Sequence, residues 1–225
     1  MKKAFLFFVL FSAYYIHAAQ SPIYPDIVVF DFGGVVGYTD NDMLTKKVEK
    51  ALGVRHSQAK ALTAKALSAK SMEAFWLIYE TKSGLELPFN WASQFKQMRR
   101  QSLRIDPKIY TIIQELKSHG KKVALLSNVP ASRAKDIRKL GLYKPFHPAI
   151  LSCDIGVEKP NKKAFRVLLK KLGNVDPNRC FFIDDKIENV NAALRLGIQA
   201  VQYESPKKLR WQLALRNILP PKKAY

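Results

Sequence analysis

Four short segments of this chain carry side chains able to move a phosphoryl group: Asp31-Phe-Gly-Gly-Val, Ser127-Asn128, Lys159-Pro160 and Asp184-Asp185. Such a transfer needs a nucleophile, neutralisation of the phosphate charge, and help for the leaving group and the attacking water. Asp31 offers a carboxylate that can attack phosphorus and form an aspartyl phosphate. A carboxylate and a phosphate repel, so a cation must stand between them. Asp31 and Asp185, converging from adjacent strand ends, would make a hard, oxygen-rich site suited to Mg²⁺. Ser127 can donate to a phosphoryl oxygen, with Asn128 assisting from the same turn, and Lys159 can bring an ammonium to Asp31 and the phosphate. Asn189, one helical turn beyond Asp185, could orient the acidic pair. Each segment also has a plainer reading: a strand-ending Ser is a common turn residue, Lys-Pro a common surface helix start, and Asp184-Asp185 a helix cap. Their joint occurrence in this order favours the chemistry.

Residues so far apart must be gathered by a scaffold. Ile27-Val-Val-Phe30 is a continuous apolar run, as in a central strand covered on both faces, and it leads directly to Asp31. From Pro107 onward, apolar runs at 122–126, 149–151, 180–183 and 199–202 alternate with helical patterns at 107–118, 131–140, 162–172, 187–196 and 206–215. This alternation predicts an α/β fold with a doubly wound parallel sheet. Ligands of such sheets bind beyond the carboxyl ends of the strands, where Asp31, Ser127 and Asp184 fall. The interval after Gly37 differs: helices are expected over 43–52, 57–69, 71–81 and 91–103, with breaks at Gly53, Gly84 and Pro88, and no strand. The expected organisation is a core from 20–37 and 105–225 with an inserted helical cap from 38–104.

In this order and spacing the four segments resemble the haloacid dehalogenase (HAD) superfamily. Ser71-Met-Glu-Ala-Phe-Trp76 resembles the cap of the branch containing bacterial sugar phosphatases and the phosphatase domain of soluble epoxide hydrolases. The likeness runs from about Ile27 to about Gln202. It implies a Rossmannoid core with a small α-helical cap, and a Mg²⁺-dependent phosphatase acting on a small phosphomonoester, such as a sugar phosphate, through an Asp31 phosphoenzyme. It also implies the Gly33 backbone carbonyl as a further metal ligand, and Asp184 as a direct or water-mediated one. The chain departs from the pattern at Gly33, where most phosphatases of the superfamily carry a second Asp that protonates the leaving group and then activates water. A general acid/base is worth about 10²- to 10⁴-fold. A good leaving group, such as that of a sugar 1-phosphate, would need less of it, and Tyr38, Asp40 and Asp42 lie nearby in sequence as substitutes. Two alternatives stand beside the phosphatase. A 2-haloacid dehalogenase uses the same nucleophile without the second Asp and without a metal, which leaves Asp184-Asp185 unexplained. A catalytically silent basic binding protein would fit Gly33 and the charge, but leaves the retained Asp31, Ser127, Lys159 and Asp185 unexplained. Phosphoryl transfer to an acceptor other than water also stays open. Trp76, Tyr79, Phe89 and Trp91 either line a substrate pocket or form the core of the cap.

The remaining features bound location and partners. Lys2-Lys3, the apolar stretch from Ala4 to Ile16 and the small residues at Ala18-Ala19 follow the pattern of a secretory leader over residues 1–19. Export, with the periplasm of a Gram-negative bacterium or secretion as the destination, is the expectation, and no other segment is long and apolar enough to span a bilayer. The 38 Lys and Arg against 18 Asp and Glu give a net charge of +20. That charge favours anionic partners, but the basic residues come as scattered doublets. A small phosphorylated substrate and weak polyanion binding are therefore expected, rather than specific nucleic-acid recognition, in a monomer or dimer. His56, His119 and His147 form no metal-like group. Cys153 and Cys180, read as lying at opposite ends of neighbouring parallel strands, would exceed the ~7 Å reach of a disulfide and are expected to be free and mostly buried.

Overall fold

The structure is a computed structural model that describes residues 24–221; the expected leader at 1–19 lies outside the described residues. The chain runs β1 (Ile27–Phe30), β2 (Gly37–Thr39), α1 (Asn41–Leu52), α2 (His56–Ser68), α3 (Met72–Ser83), α4 (Trp91–Gln101), β3 (Leu103–Ile105) and α5 (Pro107–Ser118). It continues through β4 (Lys122–Ser127), α6 (Ala131–Lys139), β5 (Ala149–Leu151), α7 (Ser152–Ile155), α8 (Lys162–Lys171), β6 (Cys180–Asp184), α9 (Ile187–Leu194), β7 (Gln199–Gln202) and α10 (Pro206–Leu215). Five strands form one sheet in the order β5-β4-β1-β6-β7, and every neighbouring pair is parallel. The fold is the expected α/β doubly wound sheet.

Strand β1 lies in the middle because nothing in it requires water: all four residues are fully buried. The period-two geometry of a strand sends Val28 and Phe30 into one core and Ile27 and Val29 into the other. The first core is closed by residues of α5, α6 and α10, including Ile109, Ile113, Ile137 and Leu213. The second is closed by α8 and α9 through Phe165, Leu168, Ala192 and Ala193. Helix α5 starts where Asp106 accepts from the backbone N–H groups of Lys108 and Ile109, at 2.7 and 3.3 Å, with Pro107 in the first turn.

Helices α1–α4 enclose a third cluster of buried side chains, among them Leu44, Leu62, Trp76, Trp91 and Phe95. Trp76 meets the rings of Trp91 and Phe95 at centroid distances of 5.3 and 5.1 Å, edge-on in the arrangement aromatic quadrupoles favour. Trp76 and Trp91 are thus interior residues of the helical segment, Tyr79 packs partly buried against them, and Phe89 is 87% exposed.

Two sequence expectations need correction. Strands do occur beside the helical insertion: β2 and β3 pair antiparallel, with Gly37 opposite Ile105 and Thr39 opposite Leu103. Three residues each, partly exposed, they leave no apolar alternation to detect. The strands next to Cys153 and Cys180 are also not neighbours, because β4 and β1 stand between β5 and β6. Strands are spaced by about 4.8 Å, so this separation alone holds the thiols too far apart to bridge. Both are free, Cys180 buried and Cys153 partly so. Among the described residues no helix is long and apolar enough to cross a membrane.

Candidate active site

The carboxyl ends of β1, β4 and β6 meet in one place. Asp31 follows β1, and its N–H donates to the Ile183 carbonyl of β6 at 2.8 Å, so the ladder fixes where its backbone stands at the sheet's end. Ser127 and Asp184 are the last residues of β4 and β6, and both are buried. Lys159 arrives from the loop between α7 and α8 and sits between the acids: its Nζ is 2.7 Å from Asp31 Oδ1 and 2.6 Å from Asp184 Oδ2. Its side chain is only 1% exposed, and the ammonium stands 5.2 Å from the centre of the Phe182 ring, a further favourable contact for a buried cation.

Asn128 explains how a loop lysine is held there. Its Nδ2 donates to the Lys159 carbonyl at 2.8 Å, and its Oδ1 accepts from the Lys159 N–H at 2.9 Å. The amide thereby copies a backbone pairing between segments 31 residues apart. Both ends of Asn128 are therefore engaged with Lys159, which gives it a positioning role; its second Nδ2 hydrogen is not used in that pairing and stays compatible with the phosphate contact expected for it. Ser152 steadies the same turn, accepting from the Val129 N–H at 3.0 Å. Neither Ser152 nor Phe182 was foreseen, since one lies in a short helix and the other in an apolar run with no polar signal.

The two adjacent acids are treated differently. Asp184 is fully buried and saturated: besides Lys159 it accepts from the Lys186 N–H at 2.9 Å and from Asn189 Nδ2 at 3.0 and 3.1 Å. Asn189 orients Asp184 rather than the pair. Asp185 is partly buried, and its Oδ1 is shielded from solvent with no hydrogen-bond partner among the described residues. Gly34 makes room for it: this residue has φ +79°, and a Cβ there would lie 2.4 Å from Asp185 Oδ2. Gly33 is different, because the nearest atom to a Cβ at that position is Asp31 Oδ2 at 4.0 Å. The space where the superfamily's second Asp would project is open. Asp40 and Asp42 are occupied elsewhere, Asp40 capping α1 through the Met43 N–H at 3.0 Å and Asp42 pairing with Lys46 at 2.7 Å.

Charge at the site is unbalanced. Oxygen atoms of Asp31, Asp184 and Asp185 lie within 4.8 Å of one another, with the Lys159 ammonium against them. Burial pushes the Asp31 carboxyl above its usual range; Lys159 opposes this and Asp184 adds to it. Burial also raises Asp185, and the Asp184 charge contributes. An orphaned carboxylate oxygen, a glycine that admits it and an excess of hard oxygen donors are what a small divalent cation requires. The residues present fit Mg²⁺.

The family profile of haloacid dehalogenase-like hydrolases matches residues 25–197. The chain belongs to this family. This HAD-like hydrolase is 26% identical, over 172 residues, to a sesquiterpene phosphatase of Aspergillus oryzae, an overlap covering 76% of the chain and 85% of that protein. It is 23% identical, over 188 residues, to a glyceraldehyde 3-phosphate phosphatase of Methanothermobacter thermautotrophicus, covering 80% of the chain and 83% of the relative. Its fold is similar to that of a HAD family enzyme of Bacteroides thetaiotaomicron in complex with magnesium and inorganic phosphate, with a TM-score of 0.50, 20% identity, and coverage of 80% of this chain and 94% of that one.

Proposed function

We propose that this HAD-like hydrolase is a Mg²⁺-dependent phosphatase that cleaves a small phosphomonoester through an aspartyl phosphate on Asp31. The observation that carries the reading is the Lys159 ammonium held between Asp31 and Asp184, beside an Asp185 oxygen that no described residue satisfies. The phosphatases among its relatives support the substrate class, and the magnesium and phosphate bound by the Bacteroides enzyme support the metal.

Asp31 Oδ1 is held by Lys159, which leaves Oδ2 as the attacking atom. Attack forms an O–P bond as the bond from phosphorus to the ester oxygen breaks. The departing alkoxide takes a proton from solvent, because Gly33 supplies no acid. Water then attacks the aspartyl phosphate, inorganic phosphate leaves, and Asp31 is restored. Lys159 and Ser127 would hold the phosphoryl oxygens, while Asn128 and Asn189 keep Lys159 and Asp184 in place. Asp31, Asp185 and the Gly33 carbonyl would hold Mg²⁺, with Asp184 as a neighbouring or water-mediated ligand; when bound, the ion offsets the repulsion between nucleophile and phosphate. The missing acid favours substrates with good leaving groups. Export to the periplasm, read from the leader pattern, belongs to the same proposal.

The test is phosphate release from p-nitrophenyl phosphate and a panel of sugar phosphates, with Mg²⁺, with EDTA, and with Asp31→Asn. Release that needs both Mg²⁺ and Asp31 is expected. A folded protein that releases phosphate from none of these substrates, or does so equally well as Asp31→Asn, would overturn the proposal.

A further inference from the structure

A second concave feature lies between the helical insertion and the sheet domain. It is a cavity of about 180 Å³ at the contact of α3 and α4 with α6, and none of Asp31, Ser127 and Lys159 lines it. Four of its walls are cationic: Lys96, Arg99, Arg100 and Arg133. Two of these have partners, Lys96 with Glu73 and Arg100 with Asp136 at 2.9 Å. Arg99 and Arg133 have no hydrogen bond or ion pair among the described residues. Burial draws the Arg99 guanidinium below its usual range, and the like charge of Arg133 adds to the effect.

Arg99, partly buried, and Arg133, exposed, come from the insertion and the sheet domain; Asp136, the acid in the wall, is held by Arg100, so the cavity keeps an excess of positive charge that favours an anion. A guanidinium fork suits a carboxylate or phosphate bound by two oxygens. Met72, Leu103 and Ile137 supply an apolar wall beside the cations. Its wall is joined in sequence to the active-site segments: Thr39 ends the β2 strand that follows the Asp31 segment, and α6 starts four residues after Ser127.

We propose that Arg99 and Arg133 form an anion subsite that receives a second acidic group, carboxylate or phosphate, of the phosphorylated substrate. The hydrolase would then prefer a doubly anionic phosphomonoester to one whose remainder is neutral. The assignment of that anion to the substrate rests on the phosphatase reading; the site itself does not.

Binding is measured without turnover, by calorimetry on Asp31→Asn, using matched pairs that differ in the second anion: fructose 1,6-bisphosphate against fructose 6-phosphate, and 3-phosphoglycerate against glycerol 3-phosphate. Inorganic phosphate alone is a third arm. A preference of about tenfold or more for the doubly anionic member is expected, lost in Arg99→Met/Arg133→Met and reduced in Arg133→Met alone, whose side chain is exposed enough to spare the fold. No preference, or one that survives in the double variant, would overturn the subsite. Two equivalents of inorganic phosphate, one of them lost with the arginines, without preference within the pairs would mark a free-anion site and overturn the substrate assignment. Turnover by the parent protein is measured in parallel. Binding preference with no turnover of any substrate would keep the subsite and reject the phosphatase; turnover without preference would do the reverse.

Discussion

Replacing each of the two adjacent glycines after Asp31 by alanine should give opposite results. At Gly34 the backbone has φ +79°, where an L-residue is strained by about 1–2 kcal/mol. In a protein of this size that corresponds to a fall in Tm of roughly 2–8 °C. The new methyl would also start 2.4 Å from Asp185 Oδ2, against an ordinary contact of 3.4 Å or more, so the carboxylate must withdraw by about 1 Å. A misplacement of that size costs about 10²-fold in a preorganised site. Gly34→Ala should therefore lose about 10²-fold in kcat/KM and bind Mg²⁺ at least tenfold more weakly, while the far-ultraviolet circular dichroism stays the same. Gly33→Ala meets nothing closer than 4.0 Å and needs no left-handed backbone, so its Tm should stay within 2 °C or so of the parent. Thermal melts, magnesium titration by calorimetry and p-nitrophenyl phosphate kinetics on the two variants make the comparison. Unchanged Mg²⁺ affinity in Gly34→Ala, with the protein folded, would refute the claim that Gly34 exists to admit Asp185.

Three further outcomes are expected. Gly33→Asp has room for its side chain beside Asp31 and should speed hydrolysis of alkyl phosphates, which are poor leaving groups, by about 10- to 100-fold while changing p-nitrophenyl phosphate turnover far less; kcat/KM on both substrates checks this. Asn128→Ala frees the Lys159 backbone and should lower kcat about tenfold or more with little change in KM, read from steady-state kinetics. Because burial raises Asp31 in the folded state, the folded protein holds that proton more tightly than the unfolded chain; the associated stability is present at acid pH and lost as pH rises through the folded value. Metal-free Asp31→Asn should thus melt above the parent at pH 7, with the gap closing as pH falls toward the ordinary carboxylate value of 3.8, as followed by calorimetry in EDTA.

Much of this arrangement could be read in the sequence because burial leaves a local signature. Ile27–Phe30 and Cys180–Asp184 are buried at every position, so their apolar runs announce strands, and the acids at their ends announce a site. What escaped depends on pairings between distant segments. Gly37–Thr39 becomes a strand only because Leu103–Ile105 lies against it. Asn128 faces Lys159 across 31 residues, and an amide at a strand end gives no hint of whether it serves a ligand or a loop. Strand order is similarly nonlocal: no letter near Cys153 or Cys180 reveals that two strands separate β5 from β6. The open space at Gly33 and the crowding at Gly34 are indistinguishable as letters.

The β2–β3 pairing carries a last consequence. Thr39 and Leu103 face each other across an antiparallel ladder, where opposed Cα atoms lie about 5 Å apart. Residues 40–102 therefore leave and return through a single doorway, and they also touch the sheet domain where α4 meets α6. Closure of that excursion is secured at the doorway whatever its length, so the segment can be lengthened, shortened or traded at small entropic expense to the sheet. Arg99 lies on that segment and Arg133 on its host, so under the subsite proposal a change of the segment would alter one half of the anion site while Asp31, Ser127, Lys159 and Asp185, all outside it, stay in place.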